Sequence, residues 1–295
     1  MNTDDIEIAP FDNLLVYKKG YTPEIVSKII TEKSLGGLRI FAVLKEDRLE
    51  SLDFLRSYIF LEKLDITSVS DYDFSFLQNL TRLKKLSINT EGNNEINLGS
   101  LCELQYLSIK WRKKIVGLEN CTKLSSLTLI EYKERDLQKI GILQGLVELR
   151  IKTSAVETLS GADKLINLRN LNVGNCKKLQ LIEAINHLQN LNGLYLDACP
   201  NIKDYEEVTD LPSLETLDLT DCGKVQSLKF IERYPALQKL SLLGNTIIVD
   251  GDLVPAKRIK SLQHKHYSHY NVKLENPSYN QNIKNNLEKI KNLFK

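Results

Sequence analysis

Three of the four histidines in this chain stand together, in His264-Lys-His266-Tyr-Ser-His269. On a strand, residues two apart share a face, so His264 and His266 could grip a metal ion from two points. No cysteine or carboxylate nearby completes a ligand set, and the cluster reads as a polar terminal strand. No cofactor is expected and no metal, with His264 and His266 the weak metal candidates. A pH-sensitive contact is the other use such a cluster allows. The five cysteines are scattered and lack C-x-x-C spacing, so neither a zinc site nor a disulfide framework is expected. Enzyme motifs are missing: there is no glycine-rich phosphate loop, no H-E-x-x-H and no G-x-S-x-G. What remains is recognition chemistry. The run Trp111-Arg-Lys-Lys114 sets the single tryptophan beside three bases, and tryptophan and arginine are over-represented at binding hot spots.

These residues are positioned by a repeat. The phrase Leu-x-x-Leu-x-Leu, or its Ile and Val variants, begins at Leu35, Leu61, Leu83, Leu104, Leu124, Leu146, Leu168, Leu191, Leu214 and Leu237, and in degraded form at Leu262. The spacings are 26, 22, 21, 20, 22, 22, 23, 23, 23 and 25. A period of this size marks a solenoid, and this phrase marks a leucine-rich repeat. In the repeat that starts at Leu168, Leu168, Leu171 and Val173 point inward, while Asn170 and Asn172 alternate outward, as a strand requires. The return leg carries a second signal. Leu188, Ile185 and Ile182 lie three, six and nine residues before Leu191. Leu80, Leu77 and Phe74 hold the same places before Leu83. An apolar residue at every third position suits 3₁₀ turns or a short helix.

The expected fold is therefore an α/β solenoid. It is a right-handed superhelix with a curved parallel β-sheet on the concave face and short helical or 3₁₀ segments on the convex face. Residues 1–34 are assigned to an N-terminal cap, with Thr22 and Pro23 opening a helix. Residues 35–270 form the array of about 10–11 repeats. Residues 271–295 form a C-terminal tail, in which Ile283, Leu287, Ile290 and Phe294 make one stripe of an amphipathic helix. Cys176, Cys199 and Cys222 are each the ninth residue of their repeat, and Asn245 holds the same place in the next. All four are expected to face inward, where cysteine serves as a small residue with a weak donor. Cys121 falls at a core position.

The third, fifth and seventh residues of each repeat face outward on the strand. Candidate contacts there are Arg39, Lys63, Lys85, Tyr106, Lys110, Arg150, Lys152, Asn172, Tyr195, Asp197 and Asp218, with Trp111 on the rim at an eighth position. The first six repeats carry Arg39, Lys63, Lys85, Lys110, Arg150 and Lys152 against Asp65 and Glu148. The next four carry Lys239 against Asp197 and Asp218. Such a gradient orients a partner and speeds encounter. Tyr195→Ala or Lys110→Glu is expected to weaken a complex and leave stability nearly unchanged.

The leucines named above, together with Asn245, resemble the 22-residue repeat class of bacterial internalin-type proteins and of protein-phosphatase regulatory subunits, over residues 35–270. Asp250-Gly-Asp-Leu253 and His266-Tyr-Ser-His269 resemble the ending of some cytoplasmic bacterial leucine-rich proteins. The resemblance implies a non-enzymatic scaffold that binds a protein partner on the concave sheet. The alternative it implies is an inhibitor or immunity protein of a toxin or enzyme. From a different class, an RNA or acidic-polymer binder would use Lys63, Lys85, Lys110, Arg112, Lys113 and Lys114 and show strong salt dependence. Nucleic acid is the weaker expectation, because 40 Lys/Arg against 38 Asp/Glu leaves a net charge of only +2. An acidic start, the absence of a long apolar run and the odd cysteine count lead to the expectation of a cytoplasmic monomer.

Overall fold

The computed structural model describes residues 6–10 and 12–272. The helix expected between Gln281 and Lys295 lies outside the described residues. The chain divides into two compact units. The first is Met1–Lys133 with Gly145–Leu149, and the second is Glu134–Gln144 with Arg150–Lys295.

The first unit opens with β1 (Ile8–Ala9) and β2 (Leu14–Val16), which pair antiparallel. Helix α1 (Pro23–Glu32) follows. The Thr22 hydroxyl accepts from the Ile25 amide, Pro23 fills the first turn, and Val26 and Ile29 are buried. Strands β3 (Gly37–Ala42), β4 (Lys63–Ser68) and β5 (Lys85–Thr90) come next. Then come β6 (Ile96–Asn97), β7 (Tyr106–Lys110), β8 (Ile115–Val116) and β9 (Ser126–Ile130). The order in the sheet is β1-β2-β3-β4-β5-β7-β9, parallel from β2 onward, while β6 and β8 pair separately. The strand β2 was not legible as a repeat because Leu14-Leu-Val lacks the Leu-x-x-Leu-x-Leu phrase. It nonetheless joins the ladder, with Leu15 opposite Leu38.

Strand β10 (Glu148–Lys152) falls at the division. The second unit then holds β11 (Asn170–Gly174), β12 (Gly193–Asp197) and β13 (Thr216–Thr220). It continues with β14 (Lys224–Val225), β15 (Lys239–Leu242), β16 (Ile247–Ile248) and β17 (Ser261–His264). The order β11-β12-β13-β15-β17 is parallel throughout, and β14 pairs with β16.

The every-third-residue signal has a hydrogen-bond cause. The Ile185 amide donates to the Ile182 carbonyl at 3.0 Å, Leu188 to Ile185 at 2.9 Å, and Leu191 to Leu188 at 3.0 Å. Leu55, Tyr58 and Leu61 repeat the pattern in the first unit, donating to Leu52, Leu55 and Tyr58. Each such 3₁₀ bond turns the chain so that every third side chain faces the core.

A left-handed residue follows each of the strands β9, β10, β11, β12 and β13. Glu131, Thr153, Asn175, Ala198 and Asp221, each the eighth of its repeat, have φ between 51° and 53°. Four of their amides then donate across: Thr153 to Gly174, Asn175 to Asp197, Ala198 to Thr220 and Asp221 to Leu243. The left-handed region costs a non-glycine residue about 1–2 kcal/mol, and glycine's larger loss of chain entropy offsets about half of that. Ala198 has no side-chain bond to lose. Ala198→Gly is therefore expected to stabilise the protein by about 0.5–1 kcal/mol, and an unchanged or lower urea midpoint would contradict this.

The inward turn positions of the second unit form a ladder of small donors. The Cys199 thiol donates to the Val173 carbonyl at 3.5 Å and the Cys222 thiol to the Leu196 carbonyl at 3.2 Å. In the next repeat it is Thr246 that takes this place, donating to the Leu219 carbonyl at 2.5 Å. The expectation for Asn245 is thus corrected. Gly244, with φ 62°, turns the chain there, leaving Asn245 exposed and Thr246 buried. Ser154 and Cys176 are buried below the strands as well. Burial raises the thiol pKa of Cys121 and Cys222, so these cysteines are not thiolate nucleophiles.

Asp204 is a buried carboxylate that accepts from the amides of Ile182, at 3.0 and 2.7 Å, and Glu183, at 2.9 Å. Burial outweighs these bonds, with the Glu183 side chain adding to it, and its pKa rises from 3.8 to about 6. Between the unfolded value near ~4 and the folded one, the folded state binds more protons. Stability from this group therefore falls as pH rises through that window. Asp204→Asn should remove the slope; a difference in melting temperature between the two proteins that stays constant from pH 4 to 6 would sink the assignment.

Candidate functional site

The outward positions form straight rows across neighbouring strands, because the parallel register is unbroken within each unit. In the first unit, Lys63, Lys85, Tyr106 and Ser126 stand opposite one another. Arg39, Asp65, Ser87, Ser108 and Thr128 make the adjoining row. In the second unit the rows are Asn170, Gly193, Thr216, Lys239 and Ser261, then Asn172, Tyr195, Asp218, Ser241 and Gln263. The inward neighbours Leu64, Leu86, Leu107, Leu171 and Leu194 are buried.

Charges in the first unit are more balanced than the strand positions alone imply. Arg39 donates to Asp65 through Nε at 3.0 Å and Nη2 at 2.7 Å, and to Asp12 at 2.6 Å. Although burial opposes it, contact with Asp65 and Asp12 holds the guanidinium pKa above its ordinary value. Lys110 sits between Glu91 at 2.7 Å and Glu131 at 2.9 Å, with its side chain only 16% exposed. Burial again opposes, and the two carboxylates raise the ammonium pKa. Asp12, Glu91 and Glu131 lie off the outward strand positions, which is why counting those positions missed them. The visible signal was an acid one place past a strand end, for Glu91 and Glu131, and two places before β2, for Asp12. Lys110→Glu is therefore no longer a clean probe of binding, since it would face two carboxylates and cost stability.

Lys85 lies 4.7 Å from the centre of the Tyr106 ring, a cation–π contact. Together with Asp12, Leu14, Lys63, Leu64, Asp65 and Ser87 they line a hollow of about 110 Å³. In the second unit Tyr195 lies across Gly193. A methyl group at Gly193 would come within 2.6 Å of Tyr195 Cε2 and 2.7 Å of Asn170 Oδ1. Glycine thus lets the ring lie along the sheet. Burial, with the charge of Asp197 adding, raises the Asp218 pKa against hydrogen bonds from Thr220 and Ser241. Asn172 and Arg150 are half-buried, whereas Lys152 and Asp197 are exposed.

Three expectations are corrected. Trp111 is only 7% exposed, with its ring edge-on to Tyr132 at 4.6 Å, so it is a packing residue and not a rim contact. Arg112 is 2% exposed. Its Nη2 donates to the Thr90 hydroxyl at 2.8 Å and carbonyl at 3.1 Å, and its Nη1 reaches Asp71 at 3.4 Å. It cannot contact a polyanion. The two histidines do not share a face: β17 stops at His264, which is buried, while His266 is exposed beyond it. Their rings are 6.5 Å apart, and His266 packs edge-on against Tyr270. Among the described residues no group of three or more His, Cys, Asp or Glu side chains is placed to hold a metal ion.

No protein-family model matches the chain, and neither does any curated protein. Solved structures do. TLR13, in its complex with ssRNA13, has a TM-score of 0.61 at 16% identity, covering 85% of this chain and 39% of that one. Internalin InlF of Listeria monocytogenes has a TM-score of 0.43 at 18% identity, covering 74% and 78%. Internalin C2 of the same organism has a TM-score of 0.46 at 20% identity, covering 56% and 74%. At these identities the likeness concerns the fold alone. With its parallel ladders, 3₁₀ return legs and leucine phrase, the chain has a leucine-rich repeat fold.

Proposed function

We propose that this chain is a non-enzymatic interaction scaffold that holds a protein partner on the open face of its sheet. The observation that carries this reading is the set of in-register rows of charged, amide and aromatic side chains that stay wholly or partly accessible. A solvated sheet of this kind offers recognition surface but little desolvation with which to tune a catalytic group. The contact set is Arg39, Lys63, Lys85 and Tyr106 in the first unit, without Lys110, which Glu91 and Glu131 hold, and Arg150, Lys152, Asn172, Tyr195, Asp197 and Asp218 in the second. A cytoplasmic monomer belongs to the same reading. The five cysteines are all free, and no helix among the described residues is long and apolar enough to cross a membrane.

The test is capture from native lysate on immobilised protein. Tyr195→Ala removes a half-buried ring that lies against Gly193 on the outward side of the sheet. It should lower partner affinity by about 10-fold or more, as a hot-spot aromatic does, and leave the melting temperature nearly unchanged. Undiminished capture would move the site off this face.

A further inference from the structure

We propose that the hollow between Lys63, Lys85 and Tyr106 is a subsite for an aspartate or glutamate side chain of an acidic segment of the partner. This rests on the reading of the open face as the binding surface and adds its chemistry. Lys63, Lys85 and Tyr106 stand on three successive strands, roughly 4.8 Å apart per step. The two acids of the hollow are already engaged. Asp65 takes two bonds from Arg39, and Asp12 takes a third at 2.6 Å. Lys85 has only a long contact to Asp12, at 3.8 Å. Among the described residues the Lys63 ammonium has no ion pair; it lies over Gly36, where a methyl group would come within 3.1 Å of Nζ. Arg39, Lys63 and Lys85 outnumber Asp12 and Asp65 by one charge, and Glu62, the acid beside Lys63, is engaged by Lys84 at 2.8 Å and Arg82 at 3.6 Å. A carboxylate seated in the hollow, against the Lys85 ammonium and with its methylene stem on Tyr106, would supply the counter-charge, with the Lys63 side chain on the opposite wall.

The arrangement favours one carboxylate over a phosphodiester chain. Asp12 and Asp65 border the hollow and would repel phosphates on either side. Lys110, further along the same unit, is closed off by Glu91 and Glu131. Among the described residues of these rows no continuous basic track is left for a nucleic-acid backbone.

The experiment measures, at low salt, the binding of a fluorescent oligo-glutamate peptide, of its oligo-glutamine counterpart and of an oligo-uridylate. The proteins are wild type, Lys63→Gln/Lys85→Gln, and Lys178→Gln/Lys257→Gln, whose exposed lysines lie off the outward rows. The expected result is saturable binding of the glutamate peptide alone, weakened about 10-fold in the first variant and unchanged in the second. Thermal melts check that each variant folds. Binding that falls equally in both variants, no saturable binding, or preference for the oligonucleotide overturns the proposal. So does displacement of the peptide by inorganic phosphate alone at equal charge. The two readings separate cleanly. If Tyr195→Ala abolishes partner capture while the Lys63/Lys85 variant captures normally, the face stands and the acidic subsite falls. If the peptide depends on the lysines but capture ignores Tyr195→Ala, the subsite stands and the wider reading falls.

Discussion

Replacing Leu171 by alanine should lower the unfolding free energy by about 2–5 kcal/mol. Leu171 is fully buried and lies opposite Leu194 on the adjoining strand. The deletion removes apolar surface and leaves a cavity that the stiff parallel ladder closes only in part. A solenoid has no deeper core to compensate, since each coil is covered by its neighbours. The same change at exposed Ile166 removes no buried contact and serves as the control. Equal urea midpoints for the two variants would refute the packing account.

Asp71→Ala should cost about 3–5 kcal/mol, the range for leaving a buried charge without its partner. Burial pulls the Arg112 pKa down, and Asp71 is the main group that opposes this, with Glu91 adding less. Asp71 also accepts from the amides of Asn93, at 2.9 Å, and Asn94, at 3.2 Å, so it ties a loop of the next coil as well as a guanidinium further on. Arg112→Met in the same background should recover part of the loss, because it removes the stranded charge and keeps the length of the side chain. If the double variant is no more stable than Asp71→Ala alone, the cost lies in the loop bonds and not in the charge. Chemical denaturation of the four proteins in this cycle separates the two terms.

The site was only partly legible in advance. Tyr106 and Tyr195 were readable as outward residues because strand alternation is a local rule. Their use was not, since Tyr106 acquires a cation from the next strand and Tyr195 lies flat only because Gly193 has no side chain. Trp111 and Arg112 looked like a binding pair from composition. Their burial depended on Tyr132, Thr90 and Asp71, residues about 20–40 positions away. The front of the face looked more basic than it is, because Asp12, Glu91 and Glu131 reach in from outside the counted positions.

Sequence by itself determined the coil. The leucine phrase and the three-residue return signal are short-range patterns, and each coil repeats the same local geometry, so counting along the chain was enough to place the strands that carry the phrase and their inward and outward sides. Only the tertiary structure decided which outward charges remain available, which polar side chains are drawn inside, and that Thr246 displaces Asn245 in the inner ladder. Those outcomes turn on distances between coils, where one loop carboxylate or one missing β-carbon changes what a side chain meets, and no period in the sequence records such distances.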